Sequence, residues 1–183
     1  MVQLDTSWLQ HVQKPARYTG GEYNSIVKDH STVDVTMALA FPDVYEVAMS
    51  HLGIKILYGL VNRRDDAAAE RVFAPWHDME EEMRKRNIPL FSLETRTPIK
   101  DFDVLAFTLQ YEMSFTNILN MLDLAGIPMY AKDRDMDFPL LVCGGPCAFN
   151  VEPIADFFDI VSLGESEEWG DEFIDLYKAE KAK

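Results

Sequence analysis

The stretch "LLVCGGPCAFN" (Leu140 to Asn150) brings four apolar residues to a double glycine and sets two cysteines, Cys143 and Cys147, four positions apart. Two thiolates at that spacing match the first interval of the C-x-x-x-C-x-x-C motif that holds a [4Fe–4S] cluster, but Asn150 stands where the third cysteine belongs. Zinc would need four ligands, and no His or further Cys lies near in sequence. Cys143, at the end of an apolar run, reads as a small core hydrophobe, and Cys147 as a partly exposed thiol. The glycines carry more interest. Without a Cβ they permit positive φ and close approach of a ligand or of another backbone, so Gly144 and Gly145 are either the floor of a cleft or a tight turn after a strand.

Other chemistry-bearing residues are sparse. His51 follows Ser50 at the start of an apolar helical pattern; it can line a ligand or simply cap the helix. Thr108 and Gln110 end the apolar run DVLAFTL and could bond amide groups. Gly164 to Glu168 (GESEE) offers carboxylates, or only the acidic first turn of a helix. The dinucleotide fingerprint, the phosphate-binding Walker loop and the G-x-S-x-G elbow are all absent, which argues against nicotinamide, nucleoside triphosphate and serine-hydrolase chemistry. Met49, Met113, Met121 and Met129 read as core filler.

Elements must position these residues. Val33 to Phe41, Arg71 to Phe73, Asp103 to Leu109, Leu140 to Cys143 and Ile160 to Leu163 read as strands. Helical patterns begin after caps at Ser50, Asp78, Ser114 and Ser166, with a short helix over Val151 to Phe158. Asn62 stops the first helix, and Gly126 before Pro128 closes the third. Trp169, Phe173, Leu176 and Tyr177 share one face of the last. Strands alternating with helices predict a doubly wound α/β domain, a mostly parallel five-stranded flavodoxin-like sheet, for which the order 2-1-3-4-5 is assumed. Residues 1–32 form an N-terminal arm and 33–183 the domain, with residues 127–138 as a surface excursion. In such a sheet ligands collect beyond the carboxyl ends of the strands where the order reverses. That rule gathers Ser50, His51, Thr108, Gln110, Gly144, Gly145 and Pro146 into one candidate cofactor site.

The totals set outer bounds. The 183 residues carry 31 acidic against 17 basic side chains, a formal charge of −14. Such a field repels phosphate backbones and anionic lipid, so neither nucleic acid nor membrane is an expected partner of this segment. No signal-peptide layout or membrane-length apolar run is present, and the expected location is cytoplasmic.

Four strings carry a resemblance: "KPARYTGGEYNSIVK", "FPDVYEVAMSHLG", "ERVFAPWHDMEEEMR" and "LQYEMSFTNILNMLDLAGIP". They resemble the start of an uncharacterised bacterial radical SAM family. "GGPCAFNVEPIADFFDIVSLGESEE" is similar to the end of the cobalamin-binding-like Rossmann domain that precedes the radical SAM core in class B enzymes. The resemblance implies an accessory domain with a cobalamin-type pocket, occupied or vestigial. It also implies a partner, the radical SAM core, with S-adenosylmethionine and a [4Fe–4S] cluster, beyond residue 183. The family's D-x-H-x-x-G element is not met by Ser50 to Gly53, where the aspartate is missing and the glycine comes one residue early. No catalytic residue and no metal ligand is expected in this chain. The other readings are a non-catalytic docking module for the core or for a protein partner, with Trp8, Tyr18 and Tyr23 of the arm in contact, and a free-standing flavin binder.

Overall fold

The computed structural model describes residues 7–181. Its centre is a wholly parallel sheet of order β2-β1-β3-β4-β5. The strands are β1 (Val35–Phe41), β2 (Ala67–Phe73), β3 (Val104–Thr108), β4 (Leu140–Gly144) and β5 (Ile160–Val161). The α/β, flavodoxin-like architecture read from the alternating pattern is the one observed. Register is pinned by pairs such as Leu39 with Ala106 and Phe107 with Cys143.

Side chains alternate between the two faces of each strand. One face carries Ala38, Ala40, Leu105, Phe107, Leu141 and Cys143 and is covered by α3 (His77–Arg86) and α4 (Phe115–Ala125). Met79, Met83, Ile118, Met121 and Leu122 fill that layer almost without exposure. The second face carries Met37, Leu39, Val104 and Val142 under α2 (Leu52–Asn62) and α5 (Ser166–Lys181). Between β1 and α2 runs a short helix, α1 (Tyr45–Ser50), which the sequence reading did not anticipate.

Several boundaries differ from expectation for identifiable reasons. Ser50 ends α1, its hydroxyl donating to Val47 O at 2.7 Å, and His51 caps α2 instead, accepting from Ile54 N. Asp78 lies inside α3, whose cap is Trp76, and its carboxylate accepts from Gln13 N of the arm at 2.6 Å. The segment after β4 forms two 3-10 turns, Pro146–Asn150 and Glu152–Phe157, in place of one helix. Pro153 cannot donate the hydrogen bond that would fuse them. Leu176 faces solvent while Ile174 packs inward, and Met113 is exposed rather than core filler. Gly126 closes α4 in the left-handed region, φ 69°, as its position before Pro128 implies.

Strand β2 is longer than the expected Arg71 to Phe73, since Ala67 to Glu70 also lie inside it. Its free edge is closed by side chains and loops. Asn62 donates to Ala69 O and accepts from Ala69 N, Leu93 N donates to Arg71 O, and Glu94 accepts from Arg71 N. The arm adds Lys28 on Ala67 O and His30 on Glu70. Trp8, Leu9 and Val12 enter the α3 side of the core, whereas Tyr23 is fully displayed to solvent. An edge so covered cannot template pairing with another chain.

Glu70 is 2% exposed and accepts from His30 Nε2 at 2.7 Å, Ser92 Oγ at 2.5 Å and Thr95 Oγ1 at 2.8 Å. Burial alone would raise its pKa, but these donors outweigh burial and hold it below the ordinary 4.5. Its contribution to stability is therefore complete above the unfolded value and drains away as pH falls through the lower folded one. Glu70→Ala, which takes the acceptor from buried Ser92 and from partly buried His30 and Thr95, is expected to cost about 3 kcal/mol at pH 7, a fall in Tm of roughly 6–12 °C. The difference from the parent protein should narrow steadily below pH 4.5 in thermal melts.

Candidate functional site at the carboxyl edge of the sheet

The chain leaves β1, β3 and β4 at one edge, and backbone hydrogen bonds tie these exits together. Leu109 N donates to Gly144 O at 2.7 Å, and Cys147 N donates back to Leu109 O at 3.0 Å. Tyr111 Oη donates to Asp43 Oδ2 at 2.6 Å, linking the turn after β3 to the turn after β1. Asn117 Nδ2 adds a bond to Pro42 O.

Between the second face of the sheet and the α2/α5 pair lies a slot of about 240 Å³ that opens at this edge. Its walls are apolar: Leu39, Ala106, Val142, Leu57, Trp169 and Phe173. The slot exists because small residues stand where larger ones would close it. Ala106 and Gly144 floor it on the sheet, and Gly53 and Gly170 line it from the helices. Trp169 and Phe173 stack at 4.7 Å between ring centroids and hold the α5 wall upright.

Polar atoms gather only at the mouth. Ile54 N donates to His51 Nδ1 at 3.4 Å, an acceptor role that in the neutral imidazole leaves the ring proton on Nε2. That proton is donated to Gln110 Oε1 at 3.1 Å, and Gln110 Nε2 donates in turn to Thr108 Oγ1 at 2.5 Å. One directional chain thus runs from the start of α2 across to β3 and leaves the Thr108 hydroxyl proton at its end. Both ring nitrogens of His51 are engaged, so the imidazole offers no lone pair to a metal while this chain is intact. Glu165, Ser166 and Glu167 complete the mouth from the first turn of α5.

Of the residues chosen from sequence, His51, Thr108, Gln110, Gly144 and Gly145 all line this slot. Ser50 and Pro146 stand outside its lining: Ser50 is turned back onto α1, and Pro146 opens an exposed 3-10 turn. The slot residues missed by that choice lie on the sheet face and on α2 and α5; they are small ones such as Ala106 and Gly170, and large ones such as Leu57, Trp169 and Phe173 that periodicity marks only as buried helix face. The two glycines have different duties. Gly145 adopts φ 108°, and a Cβ there would lie 2.9 Å from Leu109 O and 3.2 Å from Thr108 Oγ1. What comes close to it is the backbone leaving β3. A Cβ on Gly144 would meet Ser162 at an ordinary 3.6 Å.

The cysteines are both free. Burial pushes the Cys143 thiol up to about 12, and burial with the Glu112 carboxylate beside it raises Cys147 as well. Neither is a ready thiolate. Among the described residues, no three His, Cys, Asp or Glu side chains are grouped to hold a metal ion, and no helix is long and apolar enough to cross a membrane.

Comparison with known proteins meets this geometry. A family described as "Radical SAM proteins, N-terminal" matches residues 53–183, most of the chain and every strand except β1. This chain belongs to that family. It is also similar to the uncharacterized protein MJ0966 of Methanocaldococcus jannaschii, with 28% identity over 134 residues, 72% of this chain. The chain spans only 24% of that relative's length.

The two glycines can be separated by stability. Gly145→Ala forces a side chain into left-handed backbone against Leu109 and is expected to cost about 2 kcal/mol or more. Gly144→Ala should cost under about 1 kcal/mol. Urea titrations of the two variants check the order; equal losses would contradict this placement.

Proposed function

We propose that the chain is the accessory N-terminal domain of a radical SAM polypeptide and presents a cobalamin-type pocket at the carboxyl edge of its sheet. S-adenosylmethionine and the iron–sulfur cluster would belong to the rest of that polypeptide. The observation that carries the reading is the slot: a mostly apolar cleft at the point where strand order reverses, in a family of radical SAM N-terminal domains.

The size of the slot limits what it can take. At about 240 Å³ it falls below the roughly 300–1,000 Å³ of pockets that enclose whole ligands. The apolar walls suit the flat heteroaromatic base of a nucleotide tail, whereas the macrocycle would have to lie over the mouth, outside the slot. A bound corrinoid supplies a carrier for a methyl group. This chain's residues would do the holding: Trp169, Phe173 and Val142 exclude water from the base, and Thr108 donates its hydroxyl proton to a polar group at the mouth. His51 and Gln110 orient Thr108. No residue of this chain need make or break a covalent bond.

Purified protein incubated with hydroxocobalamin and desalted should retain corrin absorbance. Ala106→Leu fills the slot at a stability cost of about 1–3 kcal/mol and should abolish retention in protein that remains folded. His51→Ala should leave retention and the cobalt absorption bands in place, because His51 orients and does not ligate. Colourless parent protein with an unchanged Tm would remove the pocket reading.

A further inference from the structure

Because the sheet is wholly parallel, every strand exit lies on one edge, and four of the exits display a large apolar side chain there. Leu52 after β1 is 68% exposed, Met113 after β3 85%, Phe149 after β4 76% and Leu163 after β5 63%. Single exposed hydrophobes are ordinary; four on the one edge where the slot opens make that edge unusually apolar. None of the four is needed for local structure. Met113 and Phe149 occupy single 3-10 turns, Leu52 is the first residue of α2, and Leu163 sits in the loop before α5.

The charges interleaved with them are mostly acidic, with Lys55 in the first turn of α2 an exposed exception. Glu112, Glu152, Glu165 and Glu167 are exposed on the same edge, while Lys14 and Arg17, which reach it from the arm, are bound to Glu46. A complementary surface is therefore apolar at its centre and carries lysine and arginine around it. The matched family is that of N-terminal parts of radical SAM proteins, and the chain covers 24% of the length of its relative. A body on the same polypeptide is held at high effective concentration, so a face of modest area is enough to seat it.

We infer that the carboxyl edge of the sheet, centred on Leu52, Met113, Phe149 and Leu163, is the docking face for the remaining body of the same polypeptide, which meets it with an apolar surface rimmed by basic side chains. The inference rests on the reading of the chain as the N-terminal part of a radical SAM polypeptide. It does not require the slot to hold a corrinoid.

Thiol labelling tests it. In a Cys147→Ser background, Phe149→Cys and Leu163→Cys are each placed in the 183-residue chain and in the full-length polypeptide from the same gene. Met136→Cys is the control, 97% exposed before β4 at the opposite edge. The rim thiols should react with a maleimide about tenfold more slowly in the full-length protein, while the control reacts equally in both. Glu112→Lys combined with Glu165→Lys should restore fast labelling of the rim in the full-length protein. Equal rim reactivity in the two proteins overturns the proposal. Protection already present in the short chain and lost on dilution also overturns it, since a second copy would then be the occupant. Protection that survives the charge reversal removes the basic rim from the partner. Corrin absorbance, read on the same samples, separates the two claims: protected thiols in colourless protein would sink the slot reading alone.

Discussion

The arrangement depends on one crossing of backbones, where the exit of β4 is laid against the exit of β3. Leu109 lends its N–H to Gly144 and its carbonyl to Cys147, and the chain can turn between those two bonds only because Gly145 reaches φ 108° with no Cβ to strike Leu109. Backbone groups at the end of a buried sheet need partners as much as those within it. Here they satisfy one another across two strands, and that keeps Thr108, Gln110 and Gly144 at one level beside His51. A wider gap between the exits would leave the polar mouth unassembled.

The slot follows from an imbalance between the two faces of the sheet. On the α3/α4 side, methionine, leucine and isoleucine fill the layer to ordinary density. On the α2/α5 side, glycine and alanine sit at the positions nearest the carboxyl edge, and stacked aromatics keep α5 from collapsing onto them. A folded chain gains stability by filling such space. Small residues here, beside a hydrogen-bonded mouth, are therefore consistent with a site kept open for a flat occupant.

At the other side of the sheet, β2 is held by ionised groups that are individually expensive to bury. Glu70 is matched by His30, Ser92 and Thr95, and Arg71 by Glu94 at 2.6 Å and by the face of Tyr58 at 4.6 Å. The partners come from three segments: the arm, the loop over residues 92–95, and α2. This network clamps the arm to the edge strand, and it explains why the arm's conformation and the sheet's boundary are settled together.

The sequence by itself determined the class of fold; the order 2-1-3-4-5, assumed from it, is the one that the sheet adopts, and it brings the expected segments to the carboxyl edge. Continuous apolar runs such as those of β1 and β4 can be satisfied only by burial on both faces, and connections of helical length allow little besides a parallel sheet. The tertiary structure decided the rest. Whether Glu70 could lie in a strand turned on partners more than twenty residues away, and local propensity carries no record of those. Whether Gly145 faced a ligand or a neighbouring strand, and whether Met113 pointed inward or out, turned on the packing of segments distant in the chain. Spacing along a sequence reports which residues can share a face; only the closed fold reports what that face touches.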